Sequence, residues 1–229
     1  MTAAARRKPR PKASEISSRD RLLEAASQIL SQRHTVEVSF SEIAKASRLN
    51  SALIKYYFGS KDGLLLALVR RDAARAIEQL EHLVRMPLAP AEKIRLHVAG
   101  IVNTYVKYPY LNRLIHALLG SEDERIPREI AEFFVKPLAS AEAKILEEGL
   151  RLGKFERVDP MHFYFAVVGA CDHLFFARAS RKYAFGVREV TATMRERYIA
   201  FITEATLGLL QRPQARPLMS APAGKSSHE

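Results

Sequence analysis

The sequence has 229 residues, 48% of them hydrophobic and 27% charged, which is the composition of an ordinary globular protein. Lys and Arg outnumber Asp and Glu by 36 to 25, and such an excess favours a polyanionic partner, either nucleic acid or an anionic membrane surface. A single cysteine, Cys171, excludes an intramolecular disulfide and indicates a reducing compartment.

The excess positive charge is concentrated at the start of the chain. Residues 1–61 carry 12 Lys and Arg against 5 Asp and Glu, whereas residues 62–229 carry 24 against 20. No apolar run approaches the ~20 residues that span a bilayer, and the basic N-terminus lacks the apolar segment of a secretory signal. We therefore predict a cytoplasmic protein with no membrane partner.

Apolar residues recur at intervals of three and four, and no alternating Val/Ile/Thr segment is long enough for a strand. This pattern predicts an all-α fold of about nine helices. The first four lie at about 18–32, 40–46, 51–57 and 60–85, behind the polar caps Ser17, Ser39, Asn50 and Ser60. Five more follow, at 90–108, up to Gly120, at 127–152 with a kink at Pro137, from Asp159-Pro160, and at 188–210.

The second and third helices are short and separated by Ser47-Arg48-Leu49, an arrangement that predicts a helix-turn-helix. At 100° per residue, Ile54 and Phe58 share one face of the third helix and pack inward. Ala52 and Tyr56 then face outward, with Leu53 beside them and Ser51 and Lys55 on the flanks. The residues alone leave open an ordinary helical hairpin with a solvated outer face.

The stretch from Arg19 to Val69 resembles the DNA-binding region of the TetR family, most clearly at Tyr57-Phe58-Gly59-Ser60-Lys61. The resemblance implies a helix-turn-helix domain joined to a larger helical domain that binds a small-molecule effector and forms a homodimer. It also implies a transcriptional repressor that its effector releases from a near-palindromic operator in double-stranded DNA. By position in the family motif, the predicted DNA-binding residues are Ser39, Ser51, Ala52, Leu53, Tyr56 and Lys61. Two more are predicted from their own positions, Lys55 on the flank of the outward face and Arg48 in the turn before the third helix.

Two turns depart from the family pattern, which has a glycine after the first helix and another between the second and third. Here the segments read Gln32-Arg33-His34-Thr35 and Ser47-Arg48-Leu49. The first turn is expected to be longer or differently bent, and Arg48 either contacts a phosphate or is solvated.

The predicted domain organisation has four parts. Residues 1–16 form a disordered basic arm, which either enters the minor groove or stays solvated. Residues 17–61 form the DNA-binding domain, residues 62–211 the effector-binding and dimerisation domain, and residues 212–229 a disordered tail.

The C-terminal half is weakly similar to the pyrimidine-responsive RutR-like branch of the family. Its aromatic residues predict a mostly apolar ligand pocket with a few polar groups, between the fifth and eighth predicted helices. The candidate ligand-binding residues are Asn103, Tyr105, Arg113, His116, Phe163, Cys171, Asp172 and His173. No metal-ligand spacing or catalytic arrangement stands out, so we predict neither an enzyme nor a cofactor.

The last predicted helix carries an apolar stripe from Val190 to Leu209, wide enough to pack on its own domain and on a second chain. It predicts a homodimer through the last two helices. An alternative function is a TetR-like architectural or partner-recruiting DNA-binding protein, which uses DNA to localise another protein.

Overall fold

The computed structural model describes residues 17–33 and 35–211. The predicted basic arm and C-terminal tail lie outside these residues. Within them the chain forms eleven α-helices and one π-helical segment, without strands. The predicted all-α fold is therefore confirmed.

The first four helices are α1 Ser18–Gln32, α2 Phe40–Ser47, α3 Ala52–Phe58 and α4 Lys61–Arg85, close to their predicted bounds. Their caps explain this agreement, because each satisfies backbone N–H groups that a helix leaves free at its start. The Ser17 side chain accepts from the Asp20 amide, and Ser60 Oγ accepts from the Gly63 amide at 3.0 Å. Asn50 Oδ1 accepts from the Ala52 amide at 2.8 Å.

The remaining helices are α5 Pro90–Lys107, α6 Leu111–Leu119, α7 Arg125–Ile130, α8 Lys136–Arg151, α9 Pro160–Phe176, α10 Arg178–Phe185 and α11 Ala192–Gln211. The single helix predicted at 127–152 is interrupted by a π-helical turn, Ala131–Val135. This turn ends two residues before Pro137, whose ring would clash with the carbonyl group four residues earlier in a regular α-helix.

Helix α10 was not predicted. With it, and with the predicted 127–152 helix divided into α7 and α8, the described residues contain eleven α-helices rather than about nine. Helix α10 is eight residues long and none of them is buried, so it contributes no side chain to a core. It ends at Gly186, which adopts the left-handed conformation (φ 69°) that glycine tolerates best. The following helix, α11, begins at residue 192 rather than at 188.

Two large clusters of buried residues hold the helices together. The first contains Ile43 and Ile54 of the short helices, Leu64 of α4 and Leu114 of α6, so it crosses the predicted domain boundary at residue 61. The second joins α5, α8, α9 and α11 around Val98 and Phe163. Helices α4 and α6 therefore pack in the same core as the N-terminal helices.

Within residues 17–33 and 35–211, no helix is both long and apolar enough to cross a membrane.

Candidate nucleic-acid interface and ligand cavity

Helix α3 packs one side against the core and exposes the other, as the sequence predicts. Ile54 is fully buried, and Phe58 packs partly buried against the first core. Ala52 and Lys55 are exposed, and the Tyr56 side chain is 78% exposed. Leu53 is half-buried against the same core, so only part of its surface is available to a partner. The outer face therefore combines an aromatic ring, a cation and a small side chain.

The turn between α2 and α3 is held in a conformation that glycine favours. Arg48 has φ 57° and ψ 36°, and it is the one non-glycine residue with positive φ among the described residues. Its backbone N–H donates to the carbonyl oxygens of Ala44 and Lys45, while Arg21 donates to the Ser47 carbonyl at 2.7 Å. The turn thus keeps the geometry that the missing glycine would supply, at a steric cost.

Three exposed cations surround the outer face of α3. Arg48, Lys55 and Lys61 are all exposed, and none forms an ion pair with a residue of the described part of the chain. Lys61 is the first residue of α4, where the helix dipole also favours an anion. The surface is consequently suited to a phosphate backbone.

The start of α2 is stabilised by a reciprocal cap. Ser39 Oγ accepts from the Glu42 amide at 3.2 Å and the Ser39 amide donates to Glu42 Oε2 at 2.8 Å. Arg33 donates to the same carboxylate, and this bond, together with those from Ser39, lowers the pKa of Glu42 to about 2. Much of the hydrogen-bonding capacity of Ser39 is therefore used within its own helix.

Tyr57 also belongs to this surface, although it is not among the predicted DNA-binding residues. Its side chain is 39% exposed, and its ring packs edge-on against that of Tyr56 at a centroid distance of 5.0 Å. Its position in the aromatic pair before Gly59 is the sequence feature that could have indicated its exposure on this surface.

A mostly apolar cavity of about 250 Å³ lies in the second domain. Helices α4 and α5 form most of its wall through residues such as Leu80 and Ile101, and Phe134, Leu138 and Val168 contribute from the π-helical turn, α8 and α9. Its polar lining residues are Gln79, His97, Thr104 and Tyr105. This composition is typical of a small-molecule site.

Of the eight predicted ligand-binding residues, Tyr105 lines this cavity. The other seven lie elsewhere. Asn103 and His173 are exposed. The inner face of α5 is set by His97, Ile101 and Thr104, and Asn103 falls on the outer face. Phe163 and Cys171 are buried in the second core, where burial raises the pKa of the Cys171 thiol to about 12.

The remaining three connect helices to one another. Asp172 of α9 accepts from Asn112 and from His116 Nε2 of α6, the latter at 2.9 Å. Arg113 donates to the Arg33 carbonyl at the end of α1, at 2.9 Å. These three predicted residues therefore join α6 to its neighbours and do not line the cavity.

A second contact joins α6 to the N-terminal helices. Tyr110, which directly precedes α6 and is fully buried, donates to Asp72 of α4, and its hydroxyl lies 2.8 Å from Ser27 Oγ of α1. Arg71 donates to the other Asp72 oxygen at 2.7 Å. These bonds and that of Arg113 connect the cavity region to the helix-turn-helix.

An apolar surface extends along α9 and α11. Met161, Phe165 and Phe176 of α9 and Phe201 and Leu209 of α11 are each about half or more exposed. Exposed apolar side chains on two neighbouring helices form a candidate interaction site.

These features define a helix-turn-helix protein. Its N-terminal helices α1–α3 are joined through α4 to a larger helical domain that contains a cavity. Two family models agree with that class. The model "Bacterial regulatory proteins, tetR family" matches residues 22–68, and the model "Tetracyclin repressor-like, C-terminal domain" matches residues 87–215. The chain belongs to the TetR family. The predicted similarity to the RutR-like branch is not confirmed by these matches.

The chain is also similar to curated regulators over part of its length. It is 32% identical over 93 residues to the HTH-type transcriptional repressor NicS of Pseudomonas putida, covering 40% of this chain and 43% of NicS. To the HTH-type transcriptional regulator BetI of Brucella suis it is 32% identical over 81 residues, covering 35% of this chain and 41% of BetI. The chain thus aligns with less than half of each relative.

Solved structures share the whole architecture. The fatty acid degradation regulator FadR of Bacillus halodurans has a TM-score of 0.69 at 18% identity, covering 90% of this chain and 100% of that one. FadR of Bacillus subtilis in complex with stearoyl-CoA has a TM-score of 0.64 at 18% identity, covering 83% and 96%. At such identity the likeness shows the fold alone.

Proposed function

We propose that this protein is a homodimeric, sequence-specific transcriptional repressor that a small apolar effector releases from its operator. The observation that carries this proposal is the exposed face of α3, where Tyr56 stands among Arg48, Lys55 and Lys61, all without ion-pair partners in the described chain. Phosphate contacts by the cations position the protein, and contacts of Ser51, Ala52, Leu53 and Tyr56 with base edges select the sequence. Ser39 is proposed to contact a phosphate at the edge of the site.

The proposed dimer uses the apolar surface of α9 and α11. A two-fold axis through this surface places two copies of α3 on a near-palindromic site, with half-sites roughly 34–36 Å apart or somewhat further. The proposed domain boundary stays near residue 61, with the hydrophobic core continuous across it. Function on chromosomal DNA implies a cytoplasmic location.

The effector occupies the cavity between α4 and α5 and favours an arrangement of α4 and α6 that does not match the operator. A coupling of about 1–3 kcal/mol weakens DNA binding roughly 5- to 150-fold, and linkage requires DNA to weaken effector binding by the same factor.

Selection of binding sites from a random DNA pool tests the function. We expect one near-palindromic motif to be enriched, and transcription from a promoter carrying that motif to fall when the protein is added. Enrichment of no motif would reject sequence-specific regulation. Binding at many dispersed sites without an effect on transcription would support the architectural alternative.

A further inference from the structure

Helix α10 packs charged side chains against the protein and exposes aromatic ones. Arg178 and Arg181 are half-buried, whereas the side chains of Tyr183 and Phe185 are 78% and 76% exposed. A surface helix normally directs its apolar side chains to the core and its charges to solvent. The arrangement of α10 therefore requires a reason other than hydrophobic burial.

A third arginine, Arg113, is brought to the same region by the packing of α6 on α9. Its chain neighbour Asn112 donates to the Asp172 carbonyl of α9 at 3.3 Å. Arg181 donates to the Leu174 carbonyl, two residues further along that helix. Arg113 and Arg181 thus approach the C-terminal half of α9, one from α6 and the other from α10.

Arg113, Arg178 and Arg181, here called the arginine cluster, are close enough for their charges to interact. Burial lowers the pKa of Arg113 and of Arg181, and the positive charge of Arg178 lowers both further. Like charges repel one another, and partial burial removes some of the water that would weaken the repulsion. A negative charge placed among them would stabilise this part of the protein.

No carboxylate in the described part of the chain supplies that negative charge. Asp172 is the single acidic residue of α6, α9 and α10, and it accepts from Asn112 and His116. Among residues 17–33 and 35–211, none of the three arginines forms an ion pair.

The arginine cluster also has unused hydrogen-bond donors. A guanidinium group carries five N–H donors, of which Arg113 uses two, on the carbonyl oxygens of Pro109 and Arg33. The Nε atoms of Arg113 and Arg181 are buried without a hydrogen-bond partner among the described residues. A buried donor of this kind in a native protein calls for a bound water or ion.

The start of α10 adds to the attraction for an anion. Arg178 is the first residue of this helix, which begins without a side-chain cap. The N–H groups of a first helical turn have no partner within the helix, and together with the helix dipole they favour a negative charge.

We propose that the arginine cluster binds the phosphate group of a small molecule, at a site separate from the apolar cavity. None of the three arginines lines that cavity, so the site goes beyond the proposed function. Guanidinium groups match phosphate oxygens with paired N–H donors, and a phosphate dianion offsets more of the three positive charges than a carboxylate does. Arg113 also holds the Arg33 carbonyl at the end of α1, so the ligand would contact a residue that joins the second domain to the DNA-binding helices.

Calorimetric titration of the full-length protein with inorganic phosphate, at constant ionic strength, tests the proposal. We expect one phosphate to bind per chain with a Kd of about 1 mM or lower. In Arg178→Gln the affinity should fall at least about tenfold, because charge-assisted hydrogen bonds are lost. Arg188→Gln removes the same charge from an exposed position just after α10, and this matched control should keep the affinity of the unmodified protein.

Thermal denaturation separates a ligand site from a purely structural role of the arginine cluster. Without phosphate, Arg178→Gln should melt at a higher temperature than the unmodified protein, because one of the repelling charges is gone. Phosphate should raise the melting temperature of the unmodified protein and of Arg188→Gln, and far less that of Arg178→Gln. No saturable binding up to about 10 mM phosphate, equal affinities in the two variants, or a lower melting temperature of Arg178→Gln without phosphate would overturn the proposal.

Two other sources of negative charge are distinguished by separate measurements. Binding of DNA phosphates by the arginine cluster would make Arg178→Gln reduce the slope of log operator affinity against log salt by about one unit. Pairing with an acidic surface of a second copy would make the same variant monomeric in sedimentation velocity. We expect the slope and the assembly to be unchanged, and either change would reject the small-molecule site while leaving the proposed repressor function standing.

Discussion

At the scale of single residues, Arg48 shows how a side chain is tolerated where a glycine fits best. Its left-handed backbone conformation (φ 57°) costs a non-glycine residue roughly 1–2 kcal/mol. Glycine avoids this strain, but it loses more conformational entropy on folding, which cancels part of the gain. The local hydrogen bonds of the turn hold the conformation in place.

We therefore expect Arg48→Gly to raise the free energy of unfolding by about 0.5–1 kcal/mol, measured by urea denaturation. Lys45→Gly is the control, since Lys45 lies exposed inside α2 and glycine there should lower stability by about 1 kcal/mol. Equal losses in both variants would show that the left-handed turn is not strained.

Two residues of the interface should differ in how they act on DNA. Lys61→Ala should weaken binding to all sequences and reduce the slope of log affinity against log salt by about one unit, whereas Tyr56→Ala should mainly reduce discrimination between operator and random DNA. Anisotropy titrations at several salt concentrations measure both quantities. Arg75→Ala, an exposed position further along α4, should change neither, and unchanged affinity in all three variants would remove α3 as the reading helix.

At the scale of helices, the end of α8 depends on a glycine. A Cβ atom on Gly149 would lie 2.0 Å from Phe155 Cδ2, and Phe155 is buried in the second core. The Gly149 carbonyl also accepts from the amides of Lys154 and Phe155. The chain can turn back against α8 only because no side chain intervenes.

Gly149→Ala should consequently lower the free energy of unfolding by about 1–3 kcal/mol through overpacking. Gly100→Ala, in the open middle of α5 with no atom within 4 Å of the added carbon, should instead stabilise by up to about 1 kcal/mol. Thermal denaturation of both variants compares the effects, and a neutral Gly149→Ala would mean that Phe155 has another position available.

At the scale of the whole molecule, the apolar surface of α9 and α11 determines assembly. Phe201 is 68% exposed in the single chain, so its replacement does not disturb the core. Phe201→Glu should give monomers, because a dimer would bury an unpaired carboxylate. Sedimentation velocity measures the state, with Leu119→Glu on α6 as an exposed apolar control that stays dimeric. A dimeric Phe201→Glu protein would move the interface elsewhere.

The connection between the domains makes a separate prediction. Tyr110→Phe removes the hydroxyl that contacts both Asp72 and Ser27, and we expect a loss of about 1–3 kcal/mol, since Asp72 stays buried with one donor fewer. A double-mutant cycle with Ser27→Ala should give an interaction energy of at least about 0.5 kcal/mol. Additive effects would show that α1 and α6 are not coupled through this bond.

The sequence alone determined the features that depend on neighbours within about one helical turn. The caps Ser17, Ser39 and Ser60 and the inward side of α3 all arise from bonds or spacings of three to four residues, which the chain carries in any tertiary context. For the same reason the outward position of Tyr56 was predicted correctly.

Only the tertiary structure decided the features that join distant parts of the chain. His97, which lines the cavity, pairs with Glu142, 45 residues later in the chain. No local pattern in α5 predicts that contact. The positions of the seven predicted ligand residues away from the cavity have the same explanation. Aromatic and polar side chains on a helix reveal their spacing, but which face meets a cavity depends on how the other helices pack against it.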